Sequence, residues 1–252
     1  MNLMELNLAR PPIIEVVLDI DCDPPPGLDL RGLEARAREA LCERYPEVRP
    51  VYWDEHRIEA SADGTSKVST ARRGLQALQF LQQDGQQIVQ VRNQGYSFNR
   101  LVPYEGLDRY LSEIGRTWGL YCGLVSPVVV RVIRLRTINR ILLPLADGHV
   151  PLGDYLKVAP NLAVLHPMNV GGFATHVTGM EPGTDNEMNL MLTTQPVEGG
   201  RLPVILDIGV AASVEMDPPG WDGIVQRVQS LRVLKNRLFM DSLTEKCLNL
   251  FQ

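Results

Sequence analysis

Three arginines lie at even spacing in one predicted strand of this 252-residue chain. Arg134, Arg136 and Arg140 share one face of a strand over residues 128–143, because side chains two positions apart in a strand point to the same side. Guanidinium groups in a row hold phosphates or carboxylates through paired hydrogen bonds. The spacing therefore suggests an anion-binding face, and nucleic acid or a nucleotide is the partner that it fits.

Acidic side chains on another predicted strand offer these arginines a structural role instead. Glu15, Asp19 and Asp21 occupy the polar face of the strand that opens the chain after Pro11 and Pro12. If the two strands are neighbours in a sheet, the carboxylates pair with the guanidinium groups and the charges cancel. We favour this cross-strand pairing over a binding groove.

Two aromatic residues and an arginine alternate on a short strand further along the chain. Tyr96, Phe98 and Arg100 share one face, which is the combination that binds single-stranded nucleic acid or a nucleotide base by stacking and phosphate contact. Aromatic residues at a period of two also suit a half-buried strand that packs against a helix, here the one that carries Trp118. Core packing is the favoured interpretation.

The patterns typical of metal, cofactor and nucleophile sites are incomplete or absent in this sequence. The carboxylates of residues 19–23 alternate as in a calcium loop, but Pro24 and Leu30 stand where an EF-hand needs Gly and Glu. A magnesium site on the first two of these carboxylates, and a zinc pair of His166 with His176, stay open as minor alternatives. The chain has no phosphate-binding loop and no nucleophile elbow, so we predict no catalytic residues, no metal site and no cofactor.

Composition bounds the class of protein. Hydrophobic residues make up 44% of the chain and charged residues 22%, which is ordinary for a globular protein with a large core. The net charge of −5 disfavours broad binding to a nucleic-acid backbone. Four scattered cysteines without a C-x-x-C pair predict reduced thiols and a cytoplasmic protein. The sequence predicts no signal peptide, no membrane span and no membrane partner.

The order of predicted elements repeats along the chain. Residues 1–126 and residues 127–252 each open with a strand after proline, continue with a helix and three strands, and close with a long amphipathic helix. We therefore predict an α+β fold of two similar β-α-β-β-β-α halves that share or flank an extended, mostly antiparallel sheet. In this interpretation the two opening strands meet and make the sheet continuous.

Local signals place several elements within these halves. Asp84-Gly85 predicts a tight hairpin, because this pair tolerates positive φ angles. Ser242 and Glu245 have capping-box spacing, which predicts a kink or a fresh helix there. Further predictions are a helix capped by Asp29, an exposed loop over residues 61–74, a helix from about Glu105, a short helix over residues 152–158, and strands near residues 163–177, 188–194 and 203–214.

Four stretches give the chain a family resemblance. They are Pro11–Val17 (PPIIEVV), Gly95–Arg100 (GYSFNR), Leu135–Ile141 (LRTINRI) and Phe239–Glu245 (FMDSLTE). Together they resemble, in order and spacing over nearly the whole chain, a sporadically distributed family of bacterial and archaeal proteins of similar length without an assigned biochemical function. The resemblance implies a patchy distribution, which suggests mobile or defence-linked genes, and it implies no catalytic residues.

The sequence favours a non-enzymatic protein-interaction or regulatory module. Its partner is another protein or a second copy of the chain, because two-fold pairing is the commonest closed assembly. The contact surface is the polar face of the sheet or the hairpin between Gln76 and Gln94, which carries eight glutamines. Two alternatives stay open: a nucleic-acid or nucleotide binder that uses the arginine strand, and an enzyme of unrecognised type with a carboxylate and arginine cleft.

Overall fold

One antiparallel sheet of nine strands organises the chain in a computed structural model, which describes residues 8–60, 66–145, 148–160 and 172–252. The strands are β1 (Ile13–Asp23), β2 (Glu47–Ala60), β3 (Ser66–Leu81), β4 (Gln87–Arg92), β5 (Gly95–Leu101), β6 (Val129–Pro144), β7 (Ala174–Met180), β8 (Asn186–Thr194) and β9 (Arg201–Met216). The helices are α1 (Leu30–Leu41), α2 (Leu111–Val125), α3 (Trp221–Ser242) and α4 (Glu245–Leu248), with 3-10 turns at Leu107–Arg109, Leu152–Asp154 and Asn249–Phe251.

The two opening strands meet in the interior of this sheet. The strand order is β2-β3-β4-β5-β1-β6-β9-β8-β7, and every neighbouring pair is antiparallel. In the register of β1 with β6, Leu18 lies opposite Leu135 and Asp19 lies opposite Arg134. The prediction that the opening strands meet in one continuous sheet is confirmed, as is the α+β class.

Alternation along the strands separates a buried face from a polar one. Leu18 and Ile20 of β1 and Ile133 and Leu135 of β6 are buried beneath α1, α2 and α3. A second cluster of buried residues joins the end of α3 to the far part of β6 and to β8 and β9. We call the opposite side the open face, because no helix in the described ranges packs on it. Its residues include Glu15, Asp19 and Asp21 on β1, Arg134 and Arg136 on β6, Asp207 and Gly209 on β9, and Glu187, Asn189 and Met191 on β8.

The helices form where the sequence supplies caps and apolar stripes. Asp29 caps α1, since its Oδ1 accepts a hydrogen bond from the Arg31 backbone N–H at 3.0 Å. Helix α2 buries Trp118, whose Nε1 donates to the Pro218 carbonyl oxygen at 2.9 Å before α3 begins. This bond fixes the start of α3 beside α2. None of the helices in the described ranges has both the length and the apolar character needed to cross a membrane.

The strands of the first half differ from the predicted outline at two places. Four strands follow α1 rather than three, because Asn93 and Gln94 form a turn that separates β4 from β5. The loop predicted over residues 61–74 is wrong from Ser66 onward, since Ser66–Leu81 is one strand paired with β2. Its polar composition concealed a strand whose backbone is satisfied by the neighbouring strand. Residues 61–65 lie outside the described part of the chain.

The predicted hairpin at Asp84-Gly85 is confirmed. The Gly85 backbone N–H donates to the Gln82 carbonyl oxygen at 2.9 Å, and Gly85 has a φ of 69°. Helix α2 begins at Leu111, later than the predicted Glu105, because a 3-10 turn at Leu107–Arg109 precedes it.

The second half also departs from its predicted boundaries. The predicted helix over residues 152–158 is only the 3-10 turn Leu152–Asp154. The strand predicted near residues 163–177 begins at Ala174, and residues 161–171 lie outside the described ranges. Thr244 rather than Ser242 caps the fresh helix α4, because the Ser242 hydroxyl donates to the Leu238 carbonyl oxygen inside α3.

We expect Gly95→Ala to destabilise the protein by about 2–4 kcal/mol. Gly95 has a φ of 149°, and a Cβ at this position would lie 2.2 Å from the backbone oxygen of Ile20 on β1. Urea unfolding measures the change. Gly119→Ala is the matched control, because Gly119 lies in α2 with nothing within 4 Å of the added Cβ. The control should stabilise by about 0.5–1 kcal/mol, and equal effects of the two changes would contradict the central strand packing.

Candidate functional site

The arginines predicted to bind anions are paired with carboxylates. Arg134 of β6 forms an ion pair with Asp21 of β1. Arg136 reaches Asp207 of β9 through two hydrogen bonds, and its Nε lies 2.8 Å from the Asp207 Oδ1. Arg140 pairs with Glu198. Each positive charge of the predicted binding face is therefore matched by a carboxylate.

Cross-strand pairing was the favoured prediction, and it holds with a change of partners. Of these three arginines only Arg134 pairs with an acid of β1, whereas the partner of Arg136 lies on the other side of β6. The register explains this choice, because Arg136 stands opposite Gly209, which leaves the guanidinium room to reach Asp207 two residues away. The carboxylate of Asp207 is buried, and its pair raises the pKa of Arg136 above the ordinary value.

Side chains of β4 and β5 hold the remaining acids of β1. The Asn99 Nδ2 donates to the Glu15 Oε1 at 2.7 Å, and the Ser97 hydroxyl donates to Asp19. Arg92 lies 2.7 Å from Asp21. Sequence reasoning missed Arg92, Ser97 and Asn99, because nothing local in the sequence indicates that β5 is the other neighbour of β1.

Amide groups extend this polar network across the first half of the open face. The Gln79 Nε2 donates to the Gln90 Oε1 at 3.2 Å, and the Gln90 Nε2 donates to the Asn99 Oδ1 at 3.0 Å. Gln87 is an exception, since it points to the helix side and donates to the buried Tyr45 hydroxyl. The glutamine hairpin is therefore not a sheet edge, and its open side continues the face that carries the ion pairs.

A concave region, which we call the trough, lies on the open face over the second half of the sheet. Its volume is about 720 Å³. Acidic and basic side chains both line it, and Gly209 and Ala211 lie between them. Met180 and Met191 add apolar surface, with exposed fractions of 59% and 37%. The trough thus combines paired charges with adaptable apolar groups.

Tyr96 and Phe98 lie in the core rather than at the surface. Tyr96 is fully buried, its ring centroid lies 5.7 Å from that of Trp118, and its hydroxyl lies 2.7 Å from the Thr117 Oγ1. Arg100 sits over the Tyr110 ring and donates to the Pro103 carbonyl oxygen. The stacking hypothesis is corrected accordingly, since helix packing leaves neither ring accessible to a base.

The described ranges contain no group of three or more His, Cys, Asp and Glu side chains placed to hold a metal ion. Asp19 and Asp21, the candidates for magnesium, are engaged by Ser97 and by arginines. His166 lies outside the described residues, so the structure describes only the second member of the predicted zinc pair. The ring of that member, His176, lies 3.1 Å from the Asn189 Oδ1.

A second cavity, of about 550 Å³, lies on the helix side of the sheet, and we call it the Lys235 cavity. It is enclosed by the segment before β1, the loop before α2, the middle of β6, and α3. Lys235 is only 7% exposed and has no hydrogen bond or ion pair to any described residue. Burial, assisted by the nearby Arg232 charge, lowers the pKa of Lys235 to about 7.

Sequence reasoning overlooked this lysine, although the signal was present. Lys235 follows Leu231 by four positions and Val228 by seven, which places it on the buried stripe of α3. A charged residue at such a position is unusual, because burying an unpaired ammonium group is costly. Unpaired buried lysines of this kind concentrate at functional sites.

A scan against protein-family models finds no match to the chain, and a search of curated proteins finds no relative that matches it. The resemblance to the sporadically distributed family therefore stays a prediction.

We expect Arg136→Ala to lower the free energy of unfolding by about 1–3 kcal/mol, because it leaves the buried Asp207 carboxylate unpaired. Arg134→Ala is the comparison, and its more exposed pair should contribute under about 1 kcal/mol. Adding Asp207→Ala to Arg136→Ala should recover part of the loss in a double-mutant cycle. An Arg136 variant as stable as the wild type would contradict a structural role for this pair.

We expect Lys235→Met to stabilise the protein at about pH 6, by at least about 2 kcal/mol. The unfolded lysine keeps its proton up to its ordinary pKa of 10.5, whereas the folded one loses it at about 7. The unfolded state therefore binds more protons between these values, and wild-type stability rises with pH across that window. The gain from Lys235→Met should shrink as the pH rises toward about 10, as urea unfolding at several pH values would measure.

The other charged groups that line the cavity are Glu105, Asp108 and Arg109 of the loop and Arg232 of α3. Strand β6 contributes Thr137 and Asn139 to the lining. Lys246→Met is the matched control, because Lys246 is exposed and paired with Asp154. A gain from Lys235→Met that does not vary with pH would contradict the lowered pKa.

Proposed function

We propose that the protein is a binding module without catalysis of its own, and that its open face docks another protein. The observation that carries this proposal is the trough, a concave surface whose arginines already have carboxylate partners. A polyanion gains little from such a surface, because its phosphates would compete with ion pairs that are in place. A protein partner of alternating charge suits it, since complementary charges give specificity.

The apolar residues of the trough favour the same kind of partner. Met180 and Met191 are exposed side chains that adapt to different partner surfaces. The edge strand β2 is less suited to contact by strand addition, because Pro50 lacks an N–H and the strand is irregular at two places. The face of the sheet is therefore a better candidate than this edge.

A second copy of the chain is the first partner to test. The trough carries both acidic and basic groups, so two copies related by a two-fold axis can present opposite charges to each other. The predicted link to mobile or defence systems rests on the family resemblance alone and stays a proposal.

We also propose that residues 1–126 and residues 127–252 derive from one duplicated unit. Two features of the topology support this. Each opening strand, β1 or β6, pairs with the last strand of its own half, β5 or β9, and the two opening strands pair with each other. Each half also closes with a long helix on the same side of the sheet.

Sedimentation velocity over a range of concentrations tests self-association through the trough. We expect a reversible dimer with a dissociation constant of about micromolar order, weakened at least about tenfold by Met191→Glu. Val177→Glu is the matched control, since Val177 is exposed on the adjacent strand β7 but on the opposite face. A chain that stays monomeric, or equal effects of both variants, would contradict docking of a second copy at the trough.

Fluorescence anisotropy with labelled single-stranded and duplex DNA tests the nucleic-acid alternative. We expect no saturable binding at near-physiological salt, because Arg134, Arg136 and Arg140 are paired with carboxylates. Tight binding that falls steeply with salt, and that is lost in Arg134→Gln, would instead favour the arginine strand as a nucleic-acid site.

A further inference from the structure

We propose that the Lys235 cavity binds a small organic carboxylate, with its acid group held by the Lys235 Nζ and its apolar body against Tyr104 and Phe239. This site is separate from the open face, because the sheet lies between the two. It would give the protein a small-molecule ligand in addition to a protein partner.

The charges of the cavity leave one cation unmatched. Glu105 lies 3.8 Å from Arg109, and Asp108 lies 2.7 Å from Arg232. With these two pairs formed, Lys235 is the remaining charged residue among those described around the cavity. A carboxylate carries the single negative charge that would balance it, whereas a phosphate monoester carries nearly two.

Unused hydrogen-bonding capacity points into the same space. The Lys235 ammonium group has three N–H donors and no partner among the described residues. The hydroxyl of Thr137, on the buried face of β6, also lines the cavity without a described partner. Buried polar groups are nearly always hydrogen-bonded, so this pair of donors indicates a place for an acceptor.

The shape and walls of the cavity suit a molecule with an apolar body. Its volume of about 550 Å³ falls within the range typical of small-molecule sites. Pro11, Pro12 and Ile13 form one wall, and Tyr104 and Phe239 contribute aromatic surface. An inorganic anion alone would leave these apolar walls without contact.

Binding of a carboxylate couples to proton uptake by the lysine. The ligand's negative charge favours the ammonium form, so the bound state should raise the pKa of Lys235 from about 7. Around neutral pH the complex therefore takes up protons as it forms. The other charged groups that face Lys235, from the loop and from α3, are the two ion pairs named above.

Nuclear magnetic resonance with lysine labelled at ¹³Cε tests the proposal directly, because the chain has only four lysines, Lys67, Lys157, Lys235 and Lys246. The probes are 4-phenylbutanoate, its neutral analogue 4-phenylbutanol, phenyl phosphate and inorganic phosphate. We expect 4-phenylbutanoate to shift the Lys235 signal and to raise its titration midpoint by at least about one pH unit. The neutral alcohol and inorganic phosphate should leave that midpoint in place.

Variants separate a binding role from a structural one. Lys235→Met removes a buried charge and should fold, yet it should weaken 4-phenylbutanoate binding at least about tenfold. Lys157→Met is the control, since Lys157 is exposed and remote from the cavity lining. Equal binding by Lys235→Met, or no shift of Lys235 at about 10 mM probe, would overturn the proposal. Stronger binding of phenyl phosphate than of the carboxylate would overturn the ligand class.

Discussion

The antiparallel pairing of β1 with β6 is the constraint on which the rest of the structure depends. It joins the opening strands of the two halves of the chain and sets which side chains face the helices. A shift of β1 by one residue against β6 would turn Leu18 outward and bring Asp19 into the core. Burial of the apolar side therefore fixes the register, and the register in turn places the ion pairs on the open face.

This arrangement gives the two faces different chemistry. On the helix side, three long helices cover the two clusters of the buried core, and the Lys235 cavity is a polar region beside them. On the open side, carboxylates, guanidinium groups and amides satisfy one another across six strands. On such a surface the charges of neighbouring side chains cancel, and the same ion pairs and hydrogen bonds hold these side chains in place. Such a surface favours recognition by shape and charge pattern over general attraction to an anion.

Local sequence patterns predicted much of the fold, but they could not predict contacts between strands that are far apart in the sequence. The Asp84-Gly85 hairpin and the alternation of β1 and β6 depend on neighbouring residues, and they were predicted correctly. The pairing of Arg136 with Asp207 depends on β9 lying beside β6, which no local signal reveals. The burial of Lys235 could have been predicted, because its spacing from Val228 and Leu231 places it on the buried stripe of α3. It was overlooked because that stripe was interpreted from its apolar residues alone.

The central functional claim is that the trough on the open face is a protein-contact surface. Hydroxyl-radical footprinting of the methionines at rising protein concentration tests it most directly. We expect Met180 and Met191 to become protected together as the chain associates, while the helix-side surface around Val177 keeps its reactivity. Association that leaves both methionines as reactive as in the dilute protein would contradict the claim and place the interface elsewhere.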